Sequence, residues 1–271
     1  MLNEVQSYIP HDKKINVIKE VRAITGLGLK EETKSLFNLY ESGMTVPVMC
    51  ELALNSGLFP NITARRLRNI IAECFFPRYK RENDVADAVK ILIPILTSQE
   101  LSQLFFLYTA RSNLILADFV TQVYWQKYES GYAVLNAEDA ISFVELALQE
   151  GKMQKIWSDS TIKRVSSYIL GCLVDYGFLV IENRKERLIT PPRLSRKMIV
   201  YLAYELHFSG EGDNSVINHK DWQLFGLSPN DVQEEIKSLA VNKHWIIQAA
   251  GEIVQISWAY KNKEEMLSVI T

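Results

Sequence analysis

Two short stretches of this chain crowd positive side chains onto positions that a helix would turn outward. Arg65, Arg66, Arg68 and Asn69 form the first, and Lys163, Arg164 and Ser167 form the second. A third group, Arg184, Lys185 and Arg187, sits between two apolar runs. Guanidinium and ammonium groups neutralise phosphates, hydroxyls let a phosphate backbone come close, and Asn and Arg are suited to base edges. The chemistry on offer is docking of an anionic polymer rather than the making of bonds. Net charge hides it. The 271 residues sum to −2, yet residues 152–197 hold ten Lys or Arg against four Asp or Glu, which leaves about −8 for the remainder. Residues 61–81 hold six cations and one acid. A near-neutral total excludes a generally basic coat and leaves local patches as the route to nucleic acid.

Other chemistry finds no footing. His11, His207, His219 and His244 are scattered, without the H-E-x-x-H spacing of a metal site. No G-x-S-x-G elbow and no phosphate-binding P-loop is present. Gly26-Leu-Gly28 lacks a preceding strand and reads as a helix break. Residues 209–214 read as an acidic, flexible loop without calcium-loop spacing. Thr190-Pro-Pro-Arg193 lacks the polar residue and the aromatic with which adenine methyltransferases act on a base. No catalytic centre, cofactor or metal is expected. Cys50, Cys74 and Cys172 are odd in number and far apart, as buried thiols of a reducing compartment would be. The first residues lack the pattern of a signal peptide, and the apolar stretches 85–96 and 104–108 are too short for a membrane span. A cytoplasmic protein with no membrane partner is expected.

The basic residues need elements to present them. Residues 136–150 read as an amphipathic helix with Asn136 as N-cap, and Gly151 suits the position after a helix end. A second helix over 158–176 ends at Gly177, and residues 178–190 read as a β-hairpin with a basic tip. At 100° per residue, Ile162, Val165, Ile169, Leu170, Cys172 and Leu173 face inward. Ser160, Arg164, Ser167 and Gly171 face outward, with Lys163 and Tyr168 on the flanks. Helix, turn, helix and hairpin make a winged helix-turn-helix, a frame that pushes its second helix into a DNA groove.

An earlier copy of the pattern runs from a helix at 46–55 through a turn at 56–60 to a helix reaching residue 75, capped by Thr63 or Asn61. There Leu67, Ile70, Ile71 and Cys74 point inward while Arg65 and Asn69 point outward, with Arg66 and Arg68 on the shoulders. A third copy uses residues 218–224, the turn Gly226-Leu227, a helix from Ser228-Pro229 to 242, and a hairpin over 245–258. Its second helix carries Asp231, Glu234 and Glu235, which repel phosphate, so a structural or protein-binding role is expected. Residues 83–128 are helical and strongly apolar, with Ser98 and Asn113 opening two of the helices. Trp157 and Trp222 read as core anchors. Helices at 11–25, 30–41, 194–207 and 263–270 complete the chain. The expected fold is mainly α, with helix-turn-helix and winged-helix units around a central helical scaffold and two short β-hairpin wings. Its segments are 1–82, 83–135, 136–192 and 193–271. Against docking stands the plainer reading that these are solvated helix faces whose arginines pair with the acidic remainder.

Gly28-Leu-Lys-Glu-Glu-Thr33, Leu104-Phe-Phe-Leu-Tyr-Thr-Ala-Arg111 with Leu116-Ala-Asp-Phe119, Trp157-Ser-Asp-Ser-Thr161 with Leu173-Val-Asp-Tyr-Gly-Phe-Leu179, Pro191-Pro-Arg193, and Trp222-Gln-Leu-Phe-Gly-Leu-Ser228 follow one another along the chain. Together they resemble the BrxA family of BREX bacteriophage-exclusion systems, over roughly residues 26–267. The resemblance implies a non-catalytic, helix-rich protein that binds double-stranded DNA. It also implies work beside a DNA methyltransferase, a large ATPase and a phosphatase-like protein. An adaptor that assembles such a complex without touching DNA is the alternative expectation.

Overall fold

The computed structural model describes residues 28–80, 84–153, 157–183, 186–250 and 253–270; the helix expected over 11–25 and the wing-tip residues Arg184 and Lys185 lie outside them. The fold is mainly α-helical with two small antiparallel sheets. In chain order come α1 (Lys30–Leu39), α2 (Val46–Asn55), α3 (64–79), α4 (Ala86–Leu92), α5 (Ser98–Arg111) and α6 (114–129). Then follow β1 (Val134–Leu135), α7 (Ala137–Gln149), α8 (Asp159–Asp175), β2 (Leu179–Ile181) and β3 (Arg187–Ile189). The remainder is α9 (Arg196–Phe208), α10 (Asp213–Ile217), a 3₁₀ turn (Lys220–Phe225), α11 (Pro229–Ala240), β4 (Trp245–Ala250), β5 (Ile253–Trp258) and α12 (Lys263–Ile270). Two compact units result, each discontinuous in sequence. One joins residues up to 81 with Tyr108–Pro191, and the other joins residues 82–107 with those from Pro192 onward.

In the first unit, apolar residues spaced by three and four on α1 and α3 bury one face of each helix. Leu36, Phe37, Leu67, Ile71 and Phe75 are all buried. The Phe37 ring meets those of Phe75 and Tyr79 edge-on, both at 4.8 Å between centroids, the arrangement that ring quadrupoles favour. α3 widens into a π turn at Ile71–Phe75, just before Phe76-Pro77. Pro77 has no N–H to give, so the hydrogen-bond ladder shifts there rather than breaking. A second π turn, Val120–Tyr124, lies within α6.

The segment in which a winged unit is expected begins earlier than the sequence suggests. β1, unforeseen because two residues are too few to show alternation, pairs antiparallel with β3, and β3 pairs with β2, giving the order β1-β3-β2. Asn136 caps α7 as expected, and Asp139 completes a reciprocal box: the Asp139 N–H donates to Asn136 Oδ1 (3.1 Å) and the Asn136 N–H to Asp139 Oδ2 (2.9 Å). α7 packs on α8, whose Ile162, Val165, Ile169, Leu170, Cys172 and Leu173 are buried as the periodicity requires. Tyr124 of α6 donates its hydroxyl hydrogen to the Phe178 carbonyl (2.9 Å), fixing the entry to β2.

In the second unit, α9 is buried over most of its length. Tyr204 is its hub. Its hydroxyl accepts the N–H groups of Ala259 (3.0 Å) and Tyr260 (3.3 Å) and donates to the His244 carbonyl. Ser228 and Pro229 open α11 as expected, with Asp231 completing a capping box. β4 and β5 pair from Trp245↔Trp258 to Ala250↔Ile253.

Two expectations are corrected. Residues 209–214 are not simply a flexible loop, because Asp213 begins α10. Its Oδ2 accepts the Ile256 N–H (2.9 Å), its Oδ1 accepts Trp258 Nε1–H (3.0 Å), and Asn214 Oδ1 accepts the Val254 N–H (3.0 Å). Bonds across some forty residues leave no local trace, and these satisfy the free edge of β5. The cap of α5 is Thr97 rather than Ser98: Thr97 Oγ1 accepts the Glu100 N–H (3.3 Å) while the Thr97 N–H donates to Glu100 Oε2 (2.9 Å). Among the described residues, no helix is long and apolar enough to cross a membrane.

Candidate nucleic-acid interface

α3 starts at Thr63, whose Oγ1 accepts the Arg66 N–H (3.3 Å). With Leu67, Ile70, Ile71 and Cys74 buried, the helix turns Arg65, Arg66 and Arg68 outward; all three are exposed, and Asn69 is half-buried. Among the described residues, none of the three arginines pairs with a carboxylate; the ion pairs present involve other cations. Their fields do reach the protein. Burial pushes the Cys50 and Cys74 thiols up, and Arg68 and Arg66 respectively pull against that shift.

Lys163, Arg164 and Ser167 are likewise exposed on α8, and among the described residues neither cation has an acidic partner. The helix opens on hydroxyls, with Ser158 Oγ 3.1 Å from both Ser160 Oγ and Thr161 Oγ1. Arg187 sits elsewhere than the wing tip. It lies in the central strand of its sheet, half-buried, and its Nε is buried with no hydrogen-bond partner among the described residues.

The raw count of cations overstates the accessible patch. Arg78, one of the six in residues 61–81, is only 6% exposed. Lys80 lies over the Tyr40 ring at 5.8 Å. Lys152 pairs with Glu150 (3.0 Å) and Asp118 (3.6 Å). Arg65, Arg66, Arg68, Lys163 and Arg164 on the two helix faces keep their exposure.

The acidic helix α11 is also less free than its sequence suggests. Asp231 is spent on the cap, accepting from the Ser228 N–H (2.8 Å) and hydroxyl, and those bonds hold its carboxyl below the usual range. Glu234 pairs with Lys237 at 2.8 Å, and Glu235 lies 3.9 Å from Arg193. At the end of α11 Val241 is 84% exposed, and on β4 Ile246 is 66% exposed.

Some residues matter that charge and spacing gave no reason to single out. Gly28 has φ of +80°, and a Cβ there would fall 2.1 Å from Asp175 Oδ2. The glycine is a close-packing position beside α8, and the carboxylate that faces it would repel a phosphate. Asp175 itself is pushed up by burial and by Glu32, with Lys30 opposing. Tyr176, the residue after α8, bonds Thr109 Oγ1 through its hydroxyl at 3.0 Å.

Fold and site together define a mainly α-helical protein that presents two exposed cationic helix faces, without acidic partners among the described residues, from one compact unit. The family model of BrxA matches residues 20–205, and the chain belongs to the BrxA family. Membership makes it a component of BREX phage-defence systems, involved with the other components of such a system. A crystal structure of an uncharacterized protein from Magnetospirillum magneticum is similar in fold, with a TM-score of 0.58 at 15% identity, over 77% of this chain and 98% of that one.

Proposed function

We propose that this BREX component binds double-stranded DNA in the cytoplasm, without catalysis, through two helix-turn-helix elements. The second is a winged helix: helix, strand, helix, helix and hairpin, with the sheet order β1-β3-β2 closing the wing against the strand before α7. One observation carries the reading. Arg65, Arg66, Arg68, Lys163 and Arg164 are exposed, and among the described residues none is neutralised by a carboxylate, in a chain whose net charge is −2. Unpaired cations on two helices are held there against the charge balance of the whole, and a duplex phosphate backbone is the partner that uses them. Asn69 and the arginines are the main groups suited to base edges, so contacts are mostly to phosphate and sequence preference is weak.

Neutralising about six phosphates gives a slope of log K against log salt of roughly −5. Fluorescence-anisotropy titrations of a labelled duplex over a series of salt concentrations measure it. Affinity that ignores salt overturns the reading.

A second reading, an adaptor for the methyltransferase, ATPase or phosphatase-like protein, rests on the second unit. There the α11 carboxylates serve caps and ion pairs, and Val241 at the end of α11 and Ile246 on β4 stand exposed. Capture of one of those components by a protein whose α3 and α8 charges have been reversed would support it, independently of DNA.

A further inference from the structure

The two cationic helices are joined behind their exposed faces. α3 ends in Arg78 and Tyr79, both buried. The Tyr79 ring packs edge-on against Tyr108 of α5, at 5.6 Å between centroids. The next residue of α5, Thr109, bonds the Tyr176 hydroxyl at 3.0 Å, and Tyr176 is the residue on which α8 ends. Gly28, ahead of α1, closes against Asp175 one residue earlier. The C-terminal ends of α3 and α8 are thus fastened to one side of α5 within a single compact unit.

Arg78 lies inside this junction. Burial opposes its charge, while Tyr176 at the α8 end, Cys74 and Tyr79 of its own helix and Cys172 of α8 favour it. A buried guanidinium is costly to place and is retained only where polar groups surround it. Here those groups come from both helices.

We propose that Arg78 is a positioning residue: the buried junction around it holds α3 and α8 at a fixed spacing, so that both engage one duplex as a bivalent clamp. The inference rests on the DNA-binding reading above and adds how the two faces act together. Arg78 itself is buried away from the duplex. Linking two weak contacts rigidly raises affinity by roughly 10²–10⁴ over either alone, and a loosened link forfeits that gain while each contact keeps its own strength.

The test compares Arg78→Met in two backgrounds, the intact protein and the Lys163→Glu/Arg164→Glu protein, which retains only the α3 face. A labelled duplex is titrated at low salt, and circular dichroism confirms the helical content of each protein. Arg78→Met should weaken the intact protein by about tenfold or more and leave the residual affinity of the one-faced protein unchanged. Equal weakening in both backgrounds would mean that Arg78 merely shapes α3, and no weakening in the intact protein would mean that spacing does not matter; either result overturns the proposal. If Arg78→Met does not fold, Tyr176→Phe, which removes only the hydroxyl bonded to Thr109, takes its place with the same expectations. Failure of the unsubstituted protein to bind any duplex would instead bring down the DNA-binding reading, and this inference with it.

Discussion

Lys163 and Arg164 do nothing for the packing of α8, whose buried face is carried by Ile162, Val165, Ile169 and Leu173. Reversing both charges, Lys163→Glu with Arg164→Glu, should therefore weaken duplex binding at least about tenfold while changing stability by no more than about 0.5 kcal/mol. Anisotropy titration and thermal unfolding measure the two effects, and retained affinity would move the site elsewhere. His244 makes a different single-residue case. Burial holds its imidazole below the usual range while Nδ1 is 2.8 Å from the Tyr260 hydroxyl. His207, stacked on Trp258 at 4.3 Å, shifts the same way. The unfolded chain takes up protons near pH 6.5, whereas the folded chain does so only at lower pH. Stability is then complete above about pH 6.5 and is lost as the pH falls toward the folded values. Denaturant midpoints at pH 7.5 and 5.5 should show that decline, and His244→Gln should remove part of it.

Elements were legible where their signals are local. The Asn136 cap, Ser228-Pro229, the inward face of α8, the 245–258 hairpin and α12 all follow from spacing and capping chemistry. Elements held by distant partners were not legible. β1 exists because β3 lies beside it, and the π turns of α3 and α6 break the 3.6-residue period on which sequence reading depends. The candidate site divides in the same way. The exposure of Arg65, Arg66, Arg68, Lys163 and Arg164 follows from helix phase, but Arg78 looks like one more surface cation until α8 is brought beside it. α10 offers the sharpest case. Asp213→Asn leaves one acceptor where the backbone N–H of Ile256 and the indole N–H of Trp258 need two. That substitution should cost about 1–3 kcal/mol, read from urea unfolding with unchanged helical content at zero denaturant. A negligible cost would mean that β5 is secured without Asp213.

For the molecule as a whole, charge and connectivity tell different stories. Charge is partitioned by helix face: among the described residues Arg65, Arg66, Arg68, Lys163 and Arg164 have no acidic partner, while Lys127, Lys152 and Lys237 are paired with acids. Connectivity cuts across any reading taken along the chain. Each unit is built from two stretches, with residues 82–107 of one interrupting the other, and the boundary between Leu107 and Tyr108 falls within the continuous helix α5. This interleaving has a consequence for how the protein is made. A ribosome that has released residue 107 has completed neither unit. Phe37, Phe75 and Tyr79 emerge before the stretch that will cover them, and Phe106 precedes its ring partner Phe225 by more than a hundred residues. The nascent chain must carry Phe106 without that partner until its last third appears, and no single scission can separate one unit cleanly from the other.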